Sequence, residues 1–243
     1  MYRISFIITL IISNFTYSQQ EVTVESIYKT YQFYPRGVNG FNGMKDGEHF
    51  TQISKTGSIT KHKITAYKES GEVILNLNDL KVDGKSLSVE DYSFNDDETK
   101  LLLLTDKKAI YRHSYSAVYY VYDLKSKKIE RLDQPGTFQT LATFSPDGNK
   151  IAFIRDNNLY IKDLTSSTSI KITTDGEFNK IINGTTDWVY EEEFSVTKTF
   201  GWSPDSKNIA FLKFDESKVK EFTIEYNIGK LYPQLYTFKY PKA

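Results

Sequence analysis

The sequence predicts an all-β chain built from β-propeller blades, and three observations predict it. One unit recurs: an aromatic residue, a polar turn, then an apolar run that reads as a buried strand. It appears as Phe94-Asn95-Asp96-Asp97-Glu98-Thr99-Lys100 before Leu101-Leu102-Leu103-Leu104, and as Phe144-Ser145-Pro146-Asp147-Gly148-Asn149-Lys150 before Ile151-Ala152-Phe153-Ile154. It returns as Trp202-Ser203-Pro204-Asp205-Ser206-Lys207-Asn208 before Ile209-Ala210-Phe211-Leu212, with a fainter copy at Met44-Lys45-Asp46-Gly47. The copies lie about 50, 50 and 58 residues apart, a period that suits a blade of several strands. Aromatic residues make up 15% of the chain, with 18 Tyr and 16 Phe, a composition that favours strands, and Gly, Asn and Asp punctuate the short apolar runs.

Each element has a local reason. In Ser-Pro-Asp-Gly the proline presets φ, the aspartate bonds nearby backbone, and the glycine accepts positive φ. The second half of each unit supplies further strands, at Tyr119–Leu124 and Leu159–Leu164, each ending in a turn. The N-terminus stands apart. Arg3 precedes an apolar stretch from Ile4 to Ile12, followed by small and polar residues, which reads as a signal peptide over residues 1–18 and an exported protein, periplasmic or secreted. The stretch is too short for an ordinary transmembrane helix, so no stable membrane span is expected. Residues 19–243 then form a partial propeller of about four blades. The last unit begins near Trp202 with no closing pattern, and an open arc would leave strand edges unpaired, so the chain is expected to be the N-terminal part of a longer protein.

Composition excludes several classes. Lys plus Arg and Asp plus Glu are 31 each, so the net charge is zero, which argues against a general nucleic-acid or membrane-surface binder. The absence of cysteine removes disulfides, thiolate chemistry and cysteine metal sites. His49, His62 and His113 have no metal-ligand spacing, and no Walker or dinucleotide fingerprint occurs, so neither metal nor cofactor is expected. Gly201-Trp202-Ser203-Pro204-Asp205 imitates a nucleophile elbow but has Asp where the second glycine belongs, and it precedes a strand. Ser203 therefore reads as a blade turn. Asn183-Gly184-Thr185 matches a glycosylation sequon, though Asn-Gly is more simply a tight turn.

The run Asp187-Trp188-Val189-Tyr190-Glu191-Glu192-Glu193-Phe194 is the densest chemical signal. Three adjacent carboxylates repel one another, the more so as water is removed, and no Lys or Arg lies among them. The run fits an acidic surface turn, or a site for a cation from outside such as a substrate amine or a metal. In a strand Glu192 and Glu193 would face opposite ways; in a helix they lie about 100° apart and can lean on one cation. Asp187 is a good N-cap, so a short helix starting at Trp188 is expected, inserted between blade strands. Arg112, in Tyr111-Arg112-His113-Ser114, reads either as an exposed strand arginine or as a donor fork for a carbonyl or carboxylate.

Asn183 to Phe194 resembles the double-glutamate motif of the dipeptidyl peptidase IV family, and Arg112-His113-Ser114-Tyr115-Ser116-Ala117 with Tyr122-Asp123-Leu124 resembles its substrate-contacting arginine segment. Trp202–Asp205, Phe214-Asp215-Glu216-Ser217 and Tyr240-Pro241-Lys242-Ala243 are similar too, so the resemblance covers nearly all the chain from about Tyr34. It implies an eight-bladed propeller, of which four blades are here, followed by an α/β-hydrolase domain. It implies a serine peptidase that releases dipeptides from free N-termini when the second residue is Pro or Ala. Carried over, Glu192 and Glu193 would bind the substrate α-ammonium and Arg112 the penultimate residue's carbonyl, while Glu191 would have no amine-binding role. The resemblance also implies a homodimer, with an arm at about residues 218–240. The catalytic elbow and its Asp and His do not occur in these residues, so the chain alone is expected to be inactive. The alternatives are a non-catalytic propeller that binds peptides or partner proteins, and a Ca²⁺ site at Glu191–Glu193, which would want more oxygen ligands.

Overall fold

The computed structural model describes residues 21–35, 40–66 and 69–240. The segment read as a signal peptide lies outside them. The chain divides into two compact units, Met1–Gly37 and Val38–Ala243. In the first, helix α1 (Val24–Tyr28) is capped by Thr23, whose hydroxyl accepts from Ser26 N while the Ser26 hydroxyl accepts from Thr23 N. No helix among the described residues is long and apolar enough to cross a membrane.

The second unit carries the blades. Blade one is β1 (Asn42–Gly43), β2 (His49–Ile53), β3 (Ser58–Lys63) and β4 (Glu72–Asn76). A short hairpin, β5 (Lys81–Val82) and β6 (Lys85–Ser86), leads to blade two: β7 (Val89–Phe94), β8 (Lys100–Ala109), β9 (Tyr115–Asp123) and β10 (Ile129–Arg131). Blade three is β11 (Thr140–Phe144), β12 (Lys150–Arg155), β13 (Asn158–Asp163) and β14 (Thr168–Lys171). Each of these three is a four-stranded antiparallel meander. The fourth unit has β15 (Ile181–Asn183), helix α2 (Trp188–Phe194), β16 (Phe200–Trp202), β17 (Ile209–Phe211) and β18 (Lys213–Asp215), and a hairpin of β19 (Glu221–Tyr226) and β20 (Gln234–Lys239) follows.

The apolar runs are continuous because blades bury both faces of their middle strands. Side chains alternate across a strand. Leu101 and Leu103 pack with Ile59 and Leu75 of blade one, while Leu102 and Leu104 pack with Ile151 and Phe153 of blade three. Ala152 and Ile154 then face Phe200 of the fourth unit.

The recurring turn does more than reverse the chain. The residue after the turn aspartate has positive φ in all four copies: Gly47 at 69°, Glu98 at 56°, Gly148 at 67° and Ser206 at 59°. Glycine adopts this conformation freely, whereas other residues are strained there by roughly 1–2 kcal/mol. Both exceptions use their side chains on the neighbouring blade. Glu98 Oε1 accepts from Lys45 N at 2.8 Å, and Ser206 Oγ accepts from Asp147 N at 3.0 Å. At Gly148 a Cβ would lie 2.5 Å from Asn95 Nδ2 of the preceding blade, whereas at Gly47 it would meet nothing within 4 Å. The turns therefore form a blade-to-blade chain.

A second regularity positions the site. In blade two the β7–β8 pairing slips between Val89 and Asp91, and in blade three the β11–β12 pairing slips between Thr140 and Thr143. In the fourth unit Asn183 pairs with Lys213 and Phe200 with Phe211, so residues 184–199 leave the sheet between them. On the partner strand all three irregularities fall five to eight residues after the turn aspartate. The excursion carrying the acidic run occupies the level at which blades two and three have a bulge, a place where a ladder readily re-aims its chain.

Two predictions follow from the turns. Gly148→Ala is expected to destabilise by more than Gly47→Ala, which should cost only the conformational term of roughly 1–2 kcal/mol; urea unfolding midpoints of the two variants check the difference. The turn aspartates are held below the usual carboxylate range, Asp46 at about 2 chiefly by the Glu48 N–H, and Asp97, Asp147 and Asp205 by the hydroxyls of Thr99, Ser145 and Ser203. A depressed folded-state pKa adds stability above the unfolded value of about 3.9 and loses it as pH falls through the folded value. The unfolding midpoint should therefore fall as pH drops from about 4 towards 2.

Candidate functional site

Two excursions from blades that are not neighbours build the site. The β8–β9 hairpin has strands of ten and nine residues, against six and six in β12–β13, so its tip projects beyond the blade. The tip is closed by Ser114 O, which accepts from Ile110 N at 2.9 Å. Arg112 lies in this tip rather than in a strand, its side chain 72% exposed. The other excursion is α2. It starts at Trp188, as the sequence predicts, because Asp187 Oδ1 accepts from Tyr190 N at 2.9 Å. It stops at Ser195, in the left-handed conformation, whose N–H reaches back to Glu191 O. The Thr186 hydroxyl donates to Val196 O at 2.7 Å and pins the two ends of the excursion together.

The three glutamates have three fates, because successive helical residues point about 100° apart. Glu191 turns inward and is buried, and its Oε1 accepts from His113 N at 2.6 Å and Ser114 N at 2.9 Å. Glu192 is largely covered and its Oε2 stands 3.3 Å from Arg112 Nε. Glu193 faces solvent. The structure thus brings Arg112 and Glu192 together directly and sets Glu193 beside them on the helix. These contacts weigh against calcium at Glu191–Glu193: Glu191 is occupied by peptide N–H groups and Glu192 by a guanidinium. Among the described residues no group of three or more acidic or His side chains is placed to hold a metal ion.

Beneath the site lies a cavity of about 340 Å³ whose lining includes Tyr111, Ser114, Arg155, Asp187, Trp188 and Glu216. Its wall is braced by the partly buried Arg155–Asp133 ion pair, the guanidinium lying 4.3 Å from the Tyr160 ring centre. Burial pushes the Tyr111 hydroxyl well above the usual phenol range, reinforced by Tyr236 beside it. Glu216 is buried with Oε1 lacking a hydrogen-bond partner among the described residues. Burial, and then the Asp187 carboxylate, raise its pKa to about 7. The inward Glu191 and the Asp187–Glu216 pair escape sequence reasoning. For Glu191 a signal was present, since three consecutive helical carboxylates cannot share one face. The β15–β18 pairing sets Glu216 beside Lys180, and Glu216 meets Asp187 only across the cavity that both line, which no local pattern announces. Asn183 is buried, its amide donating to Asn157 O and Asp175 Oδ1, so the sequon is closed to modification.

Several known proteins resemble this chain. The family model described as "Dipeptidyl peptidase IV (DPP IV) N-terminal region" matches residues 95–243, which include Arg112, all three glutamates and Glu216. "Dipeptidyl aminopeptidase B" of Saccharomyces cerevisiae is 40% identical over 164 residues, 66% of this chain and 20% of its own length. "Prolyl endopeptidase FAP" of Homo sapiens is 32% identical over 218 residues, 89% of this chain and 27% of its own length. The solved structure "Crystal structure of Porphyromonas gingivalis dipeptidyl peptidase 4" aligns with a TM-score of 0.83 at 37% identity, over 92% of this chain and 32% of that one. The chain therefore spans between a fifth and a third of the length of these relatives.

Glu216 generates a prediction. A raised folded-state pKa means that the unfolded chain releases this proton first, so stability declines as pH rises from the unfolded value of 4.5 to about 7 and levels off above. Glu216→Gln should flatten that decline, which thermal unfolding followed from pH 4 to pH 8 would display.

Proposed function

The chain belongs to the dipeptidyl peptidase IV N-terminal-region family, and on that premise we propose that it supplies the substrate-anchoring wall of an exported serine dipeptidyl peptidase. The enzyme would release Xaa-Pro and Xaa-Ala dipeptides from peptide N-termini. Glu192 and Glu193 bind the substrate α-ammonium, Arg112 binds the penultimate residue's carbonyl, and the nucleophile comes from outside residues 1–243.

The observation that carries this reading is the meeting of Arg112 and Glu192, 3.3 Å apart, from blades two and four. A cation and two carboxylates at one rim leave an excess of one negative charge, which complements a single ammonium. The guanidinium is largely exposed, so it can turn one face to a substrate carbonyl while still beside Glu192. The pairing acts as a ruler. An extended dipeptide spans roughly 7 Å, so fixing its amine fixes which peptide bond reaches a nucleophile at that distance. A peptide with a blocked or distant amine does not register.

Two further parts of the reading have separate support. Export rests on the apolar leader pattern of residues 1–18. Dimerisation through β19–β20 is supported by the large apolar side chains this hairpin exposes, among them Phe222, Tyr226 and Leu235.

The test is hydrolysis of a Gly-Pro anilide by the full-length protein. Glu192→Ala is expected to lower kcat/KM by roughly 10- to 150-fold, the worth of one charge-assisted bond of about 1.5–3 kcal/mol. The N-acetylated substrate should not be cleaved. Unchanged kcat/KM in a folded Glu192→Ala protein would sink the assignment, and cleavage of the acetylated substrate would refute the ruler.

A further inference from the structure

We propose that Glu191 is a positioning residue: by holding the two peptide N–H groups that follow Arg112, it sets the guanidinium in register with the Glu192 carboxylate. The inference rests on the anchoring role proposed above for Arg112 and Glu192, but its structural half stands independently.

The geometry is a two-rung ladder. On one rung Glu191 Oε1 takes His113 N at 2.6 Å and Ser114 N at 2.9 Å; on the next, Glu192 Oε2 faces Arg112 Nε at 3.3 Å. Among the described residues these are the polar contacts that join the hairpin tip to α2. Neither excursion is stiff alone. Helix α2 has seven residues, below the length at which a helix holds itself in water, and the tip is a five-residue connection at the end of a long hairpin. The Arg112 side chain is mostly in solvent, so the Glu192 contact by itself would hold it weakly.

Burial makes Glu191 the firm rung. At 2% exposure its carboxylate has lost nearly all contact with water, and no Lys or Arg pairs with it among the described residues. A buried carboxylate left without donors is costly, so the helix and the tip settle together. Charge-assisted bonds from two consecutive N–H groups also fix orientation, because both converge on one oxygen. Moving the tip by one residue would break both and displace Arg112 from the rim.

The experiment uses the full-length protein with Glu191→Ala, Glu191→Gln, Arg112→Ala and the Arg112→Ala/Glu191→Ala double variant. Two readouts are taken: kcat/KM on the Gly-Pro anilide, and amide hydrogen exchange of residues 110–117. Glu191→Ala should lower kcat/KM roughly tenfold or more and speed exchange in 110–117. In the Arg112→Ala background the same change should cost less than about twofold, since the residue through which it acts is gone. Glu191→Gln keeps an acceptor oxygen and should recover most of the loss, which also covers the case in which the alanine variant fails to fold. The proposal is overturned if the loss is as large without Arg112 as with it, or if exchange in 110–117 is unchanged. Should Glu192→Ala leave kcat/KM unaltered, the anchoring role fails instead. Exchange then decides the tie by itself: faster in Glu191→Ala than in Glu192→Ala upholds it, and equal rates overturn it.

Discussion

Burial of both faces of each blade's middle strands is the constraint on which the rest depends. Leu101 to Leu104 alternate between a core shared with blade one and a core shared with blade three, and Ile151 to Ile154 repeat the pattern one blade further on. Fully burying one such side chain is worth about 1.5–3 kcal/mol, so each blade clamps the next over several residues. The chain of turns adds direction at one edge, where Glu98 and Ser206 accept a conformation costly for their side chains and bond to the adjoining turn. A frame this rigid can carry two irregular segments without losing register.

Those segments are placed by the frame. Blade two sends out an elongated hairpin, and the fourth unit opens between β15 and β16 at the level where blades two and three have only a bulge. A bulge marks where the ladder already lacks a bond, so a longer loop can grow there at little cost to the strands on either side. Blade three lies between, and its Arg155 and Leu141 help to line the cavity beneath both excursions. The site exists because segments about 80 residues apart in the chain are held at one rim.

The acidic run is tolerable because each carboxylate has a different environment. Glu191 is solvated by peptide N–H groups, Glu192 by a guanidinium and Glu193 by water, while Asp187 caps the helix. Helical geometry separates the glutamates by about 100° each, which lowers their mutual repulsion and leaves Glu191 buried, Glu192 largely covered and Glu193 in solvent. The strain sits deeper, where burial and then the adjoining Asp187 push up the proton affinity of Glu216. A group whose pKa is raised in this way gives the cavity lining a titratable member near neutral pH.

By itself the sequence determined the local chemistry and the frame. The Ser-Pro-Asp-Gly turns, the apolar runs and their period declared the blades, because turn conformation and strand burial are encoded within a few residues. Asp187 announced the start of α2 for the same reason. The likeness of the Arg112 segment and the glutamate run to one family then supplied the roles proposed for them. What tertiary structure decided is how distant pieces meet. The approach of Arg112 to Glu192, the inward turn of Glu191 onto His113 and Ser114, and the contact of Glu216 with Asp187 all depend on blade-to-blade packing and on which strand pairs with which. No local pattern carries that, since a side chain's partner across 78 residues of chain is fixed by the frame and not by its neighbours in sequence.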